Sequence, residues 1–397
     1  MSTSDFVYSA HAARVVFGAG SLQHLEREVL NLNAERALIL CSPEQRAVGD
    51  ALADRLGSRA VAVFARAVMH VPVELVSEAR ELAHDQRADC AIAIGGGSAI
   101  GLGKAIALKS DLPILAIPTT YAGSEMTPIY GITEGGVKRT GTDSRVLPKT
   151  VIYDSELTLT LPAQLSLSSG INAIAHAAEA LYAREANPVI SLLAEEGIAA
   201  LAHALPQVTL QPDDIAARSR AQYGAWLCGI ALGSVGMALH HKLCHTLGGS
   251  FNLPHAATHT IVLPHALAYN ANAAPEAMKR IARAMGCDNA ATGLYELARA
   301  NGAPVALKEI GMKGGDLDRA ARIACASPYW NPRVAAGRIR GRAATSILTS
   351  IIDKRLDQAP VALATPGLSV WRQRNCEKEL RGTSRKHSRN AFSRGPF

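Results

Sequence analysis

CAIAIGGGSAIGLGKAIAL, residues 90–108, decides the fold. The run CAIAI has the short, apolar character of a buried strand, it breaks at Gly95, Gly96 and Gly97, and the residues after Ser98 continue as a helix containing Lys104. Strand, glycine turn and helix in that order gather backbone N–H groups and a helix N-terminus around one concave point. Glycine lets an anion approach the backbone there and the helix dipole favours negative charge, so the geometry suits a pyrophosphate. The pattern is neither G-x-G-x-x-G nor a Walker A sequence, and by itself it also serves as a tight turn without a ligand.

The flanking sequence repeats the alternation. RVVFGAGSLQHLEREV (14–29) opens as a strand, turns on Gly18 and Gly20 and becomes a helix; ALILC (37–41), AVAVF (60–64), ILAIP (114–118) and TVIYD (150–154) read as further strands, with helices between them, including 73–86. Strands alternating with helices predict a parallel sheet covered on both faces. The strand at 114–118 runs into PTTYAGSE (118–125), which sets Thr119, Thr120 and Ser124 hydroxyls beside Gly123. Two such loops in succession favour a nucleotide site, because ligands of open α/β sheets bind outside the carboxyl ends of the strands. Ser42, just after the strand at 37–41, and Lys149, just before the last strand, are counted with this cofactor group. CSPEQ (41–45) brings no acidic residue directly after that strand, so either NADH or NADPH is admitted.

After about residue 157 the character changes to long Ala- and Leu-rich helical stretches, at 166–184, 188–205, 215–232 and 237–247. The division expected is an α/β nicotinamide-dinucleotide-binding domain at 1–158, an all-α substrate domain at 159–357 and an atypical basic tail at 358–397. SSGINAIAHAAEA (168–180) and HHKLCHTLGGSFNLPHAATHTIVLPH (240–265) concentrate histidine. On a helix Asn172 and His176 share a face, as do His241 and His245, and His255 follows in a Pro-His loop. A lone histidine on an apolar helix is usually a core residue, but four in two segments point to a site. A divalent metal held by His176, His241 and His255 would want a carboxylate where Asn172 stands, and a neutral amide does not balance a dication. Glu179 would have to reach from another level of the helix, so no metal is expected. Lys138 and Arg139, in a Gly-rich loop after the second cofactor motif, are candidates for binding substrate carboxylates.

These motifs, in this order, resemble the iron-containing alcohol dehydrogenase and dehydroquinate synthase-like superfamily, with its GGGS loop, TT-x-x-G-S-E loop, D-x-x-x-H helix and H-x-x-x-H…PH segment. The similarity runs from about Phe6 to Arg333 and is greatest to the maleylacetate reductases: FVYSAHAARVVFGAGS (6–21), Gly101 where metal-dependent relatives usually carry Asp, Asn172 in place of a metal-binding Asp, and SPYWNPR (327–333). The resemblance implies a dinucleotide-binding domain followed by a helical domain, a site in the cleft between them, and a homodimer. It also implies NAD(P)H-dependent reduction of the carbon–carbon double bond of maleylacetate, a small dicarboxylate, to 3-oxoadipate in the breakdown of aromatic compounds. His241 and His245, with His176 and His255 around them, would then stabilise and protonate the enolate, without an assignment of each role. A metal-dependent alcohol dehydrogenase of the same superfamily is the alternative that Asn172 argues against.

Bulk properties narrow the field. At 397 residues, 48% hydrophobic and 19% charged, the chain is long enough for two cores. The net charge of +7 resides in the end of the chain: residues 334–397 hold 13 Lys and Arg against 4 Asp and Glu, leaving 28 basic and 30 acidic residues in the body. A body with no basic surplus excludes nucleic acid as the expected partner, the tail alone being the rival feature. That tail, ending RGTSRKHSRNAFSRGPF, departs from the family pattern as an altered frame or an unusual extension and is expected to be poorly ordered from about Gln358. Seven widely spaced cysteines with no C-x-x-C pair read as reduced. No apolar run is read as long enough for a membrane span and no signal peptide is evident, which predicts a cytoplasmic protein.

Overall fold

The computed structural model describes residues 6, 8, 10, 13–135, 137–333 and 348. The calls on the tail at 358–397 lie outside them. The first half runs β1 (Arg14–Phe17), α1 (Leu25–Asn31), β2 (Ala37–Leu40), α2 (Arg46–Leu56), β3 (Ala60–Phe64), α3 (Val73–Asp85), β4 (Cys90–Gly95), α4 (Gly97–Ser110), β5 (Ile114–Pro118), β6 (Ile129–Glu134), β7 (Val137–Thr142) and β8 (Thr150–Tyr153). Six of the strands form one parallel sheet in the order β1-β8-β5-β4-β2-β3. Every residue of β2, β4, β5 and β8 is buried, as a sheet covered on both faces requires, and this explains why these strands read as unbroken apolar runs. β3 departs to one side of β2 while β4 returns to the other, so the order reverses between β2 and β4. The carboxyl ends there, at Cys41 and Gly95, flank the crevice where such sheets take ligands.

The second half is helical: α5 (Ala163–Ala180), α6 (Pro188–Leu210), α7 (Ile215–Ser234), α8 (Leu239–Phe251), α9 (His255–Asn270), α10 (Pro275–Met285), α11 (Ala290–Ala300) and α12 (Leu317–Ala326). Polar side chains start several of them: Asn187 caps α6, Asp214 caps α7 and Asn289 caps α11 by accepting from first-turn N–H groups. α5 is buried almost all round and forms the axis of the bundle.

Two sequence expectations are corrected by these elements. The Gly-rich loop carrying Lys138 and Arg139 is an antiparallel hairpin, β6 paired with β7, with Thr133 opposite Lys138 and Ile132 opposite Arg139. Its residues are largely polar and its exposure broken by glycine, so apolar periodicity gives no strand signal. Secondly, α6 is 23 residues long and holds an 18-residue window of mean hydropathy 1.4, so among the described residues one helix does meet the length and composition for a bilayer span. Its apolar content has another use here: Ile190, Ala194, Ile198, Leu201 and Leu205 lie in the main hydrophobic core. Glu195 on the same helix pairs with Arg280 and Arg283. The six described cysteines are all free.

Lys104 is fully buried and does not face the phosphate crevice. Its ammonium donates to the carbonyls of Ser124, Thr127 and Ile129 at 2.6, 2.8 and 2.8 Å and to the Thr127 hydroxyl at 2.9 Å. Burial pushes it down to about 7, against the opposing pull of Glu125. The residue thus fastens α4 to the segment after β5. Lys104→Met leaves several buried acceptors unpaired and is expected to destabilise the protein by about 3 kcal/mol. A urea midpoint equal to that of the parent would contradict this role.

Candidate active site

The glycine turn opens α4 at the carboxyl edge of β4. Gly95 has φ +140°, and a Cβ there would stand 2.5 Å from the Gln45 Oε1 and 3.1 Å from the Ala99 Cβ. A Cβ on Gly96 would meet the Thr120 methyl at 3.0 Å, whereas Gly97 faces open space. No side chain caps the first turn of α4, so its N–H groups remain available to an anion. Gln45 donates to the Thr119 hydroxyl at 2.9 Å and ties the turn after β2 to the loop after β5. Gly95, Gly96, Gly97, Ser98, Thr119 and Thr120 therefore flank one crevice, with Ser42 heading the short turn Pro43–Gln45 at its side. The Ser42 hydroxyl holds the neighbouring Glu44 carboxyl below its ordinary range.

Lys149 is not part of this group. Its N–H donates to the Ile114 carbonyl and its carbonyl accepts from Arg14, so it sits at the amino ends of β5, β8 and β1, across the sheet from the glycine turn. The cofactor role expected of it is withdrawn. Arg139 is exposed and lies 3.4 Å from Glu134 across its own hairpin. Lys138 is placed only by its strand register, its side chain being outside the described residues.

The loop after β5 is pressed against the helical half, backbone on backbone. Gly123 has φ +78°, and a Cβ there would be 3.1 Å from Gly229 Cα of α7 and 3.6 Å from the His176 Nδ1; one on Gly233 would be 2.7 Å from the Met126 carbonyl oxygen. Tyr121 N–H donates to Ser169 of α5 and Gln222 of α7 to the Pro118 carbonyl. Ser124 is thereby carried to the edge of the histidines.

Six imidazoles gather there. The His176 and His241 rings stack at 5.0 Å, His241 lies 5.0 Å from both His240 and His259, and His255 is 4.3 Å from His259. His245 is 6.0 Å from His241 and 6.4 Å from His255. His176, His240, His241 and His259 are buried, while His245 and His255 form the exposed rim. The four histidines singled out from the sequence are brought together, and two more, His240 and His259, join them through a 3.0 Å hydrogen bond. Burial, reinforced by the neighbouring rings, pushes His176, His240 and His259 well below the ordinary histidine range, so they are neutral.

Glu179 organises this cluster. Fully buried on α5, it accepts from the N–H groups of Ala238 and His240 at 2.6 and 2.7 Å, at the start of α8, and from His241 Nδ1 at 2.8 Å. The helix N-terminus offsets the cost of a buried carboxylate. The carboxylate in turn fixes one tautomer of His241, with the proton on Nδ1 and Nε2 left without one on the side away from Glu179. His241 Nε2, His176 Nδ1, His259 Nε2 and Asn172 Oδ1 are all buried without a hydrogen-bond partner in the protein. Unpaired polar atoms in one cluster indicate a place for a polar guest.

Two family models cover most of the described chain: iron-containing alcohol dehydrogenase over residues 12–155 and the C-terminal domain of the Fe-containing alcohol dehydrogenase family over 166–338. The chain belongs to the iron-containing alcohol dehydrogenase family. Within that family it lies among the maleylacetate reductases. It is 62% identical to the maleylacetate reductase of Burkholderia cepacia over 83% of this chain and 93% of that one, and 55% identical to that of Sphingobium indicum over the same shares. The crystal structure of the maleylacetate reductase from Rhizobium sp. strain MTP-10005 superposes with a TM-score of 0.85 at 50% identity, covering 89% of this chain and 99% of that one.

The name of the family raises the question of iron, and the donor set answers poorly to it. One turn before His176 on α5 stands Asn172, a neutral amide, and Glu179, the carboxylate found in the cluster among the described residues, is committed to α8 and His241. What the site offers a cation is neutral nitrogen: one ligand atom from each of His240, His241 and His259 lies within 4.8 Å of the others, and binding a cation would compete with the hydrogen bond between His240 and His259. The amide and imidazoles provide no charge to balance a dication.

Proposed function

We propose that the chain catalyses NAD(P)H-dependent reduction of the carbon–carbon double bond of maleylacetate to 3-oxoadipate without a metal, with His241 as the proton donor. The observation that carries this is the Glu179–His241 pair. Nicotinamide, when bound, would supply hydride to the carbon β to the ketone, and the uncapped N-terminus of α4 with Gly95, Gly96 and the Thr119–Thr120 loop would hold its pyrophosphate.

Conjugate reduction places negative charge on the ketone oxygen and then requires one proton at the carbon beside it. Donors can stabilise such an enolate without a Lewis acid. His241 Nε2 is buried among the other rings while Glu179 stands behind Nδ1 to balance a positive charge on the ring, so the ring can take a proton relayed from the rim and pass it to carbon. His245 at the exposed rim connects the cluster to water, and the Asn172 amide, whose oxygen is unpaired, has an –NH₂ to offer the substrate. The remaining buried rings stay neutral, which limits repulsion against a charged His241. An α/β cofactor domain ending near residue 158, a cytoplasmic location and a homodimer belong to the same reading, supported by the family resemblance.

The deciding experiment is NADH and NADPH oxidation with maleylacetate, before and after exhaustive chelation with metal content measured. Turnover is expected to persist in protein holding only traces of metal. Activity lost on stripping and restored by Zn²⁺ or Fe²⁺ would overturn the metal-free mechanism, whereas no reduction under any condition would overturn the activity.

A further inference from the structure

We propose that Lys242 and Tyr329 form a subsite for one carboxylate of the substrate, at the rim of the histidine cluster. The inference rests on the proposed activity but not on its metal-free mechanism. Lys242 follows His241 on α8, and its ammonium lies 5.4 Å from the centre of the Tyr329 ring. The Tyr329 hydroxyl is 3.1 Å from His245 Nδ1, so phenol, ammonium and rim histidine adjoin one another. Among the described residues no carboxylate lies within ion-pair distance of Lys242. This contrasts with Arg139, which has Glu134.

The Lys242 side chain is partly buried, so its ammonium has lost part of its hydration, which an incoming anion would offset. The Tyr329 ring is held in place from behind. Asn331, almost fully buried, exchanges two 2.9 Å amide hydrogen bonds with Asn270 at the end of α9. Arg333 donates to the Tyr269 carbonyl and lies 4.1 Å from that ring. The segment SPYWNPR is thus pinned to α9 on one side while Tyr329 steadies the cation and the rim histidine on the other. An ammonium over a phenol ring whose hydroxyl meets the rim histidine can take a carboxylate, and the His245 ring lies 6.0 Å from that of His241.

The test compares maleylacetate with its two half-acids, 4-oxopent-2-enoate and 3-oxohex-4-enoate, each lacking one carboxylate. Lys242→Met is expected to lower kcat/KM on maleylacetate by about 30-fold, mostly through KM, with the KM for NADH unchanged. On the half-acid that lacks the carboxylate bound here, the same substitution should cost little, because the partner is already gone. Lys242→Arg should recover most of the loss, and Tyr329→Leu should reproduce a smaller version of the same selectivity. Equal losses on all three substrates, or none on maleylacetate, would overturn the subsite. Failure of the parent enzyme to reduce maleylacetate would instead strike at the activity itself.

Discussion

His241→Ala is expected to lower kcat on maleylacetate by about 10²–10⁴-fold while leaving the KM for NADH within a few-fold of the parent. The ring contributes only at the reacting end of the cleft, and the crevice around Gly95 and Thr119 does not touch it. The sharper variant is Glu179→Gln. An amide there can turn its –NH₂ toward His241 Nδ1, which then carries the lone pair and moves the proton to the wrong nitrogen. A loss of about 10³-fold in kcat is expected from that inversion. Glu179→Gln also weakens the start of α8, where Ala238 and His240 donate to this side chain, by about 1 kcal/mol. The two effects separate in one preparation: a melting curve reads the second, and kcat of the folded enzyme reads the first. If Glu179→Gln turned over at the parental rate, the dyad would have no part in proton transfer.

The second large effect is at Gly123. A side chain there meets backbone, at 3.1 Å from Gly229 Cα, and its φ of +78° is unfavourable for any other residue. The conformational strain alone is worth about 1–2 kcal/mol, and the contact with α7 cannot relax by rotating a side chain. Gly123→Val should therefore push the loop bearing Thr119, Thr120 and Ser124 off α7, raising the KM for NADH by about tenfold or more and lowering Tm by several degrees. Parental NADH affinity and melting temperature in this variant would mean that the loop does not need its present seat.

The sheet was legible because its strands are covered on both faces: AIAI in β4 and ILAI in β5 have no polar residue to confuse the pattern. The same rule misses β6 and β7, whose YGITEGGVKRTG is mostly polar and glycine, although Ile132 within it packs on the core. Lys149 was misplaced for a related reason. Being next to a strand in sequence does not say at which end of the sheet a side chain lies, and only the direction of β8 settles that.

Within the cluster, His259 had a signal that went unused, since His255-x-x-x-His259 repeats the spacing of His241-x-x-x-His245. His240 had none, because adjacent residues on a helix point about 100° apart and their sharing one site depends on α9 crossing α8. Glu179 could be seen on the face of Asn172 and His176 as a remote substitute ligand. That it instead reaches the first turn of α8 is a tertiary fact. Within SPYWNPR nothing gave Tyr329 a role of its own, because its seat over Lys242 depends on where Asn331 docks.

Glu179 ties the start of a helix to the orientation of an imidazole. The side chain that closes the first turn of α8 is the same one that sets the proton of His241, so a chain in which that turn has frayed has also lost an oriented acid, however intact its sheet and bundle remain. If His241 is the proton donor, turnover is expected to fall with the fraying of that one turn before a global probe of unfolding changes.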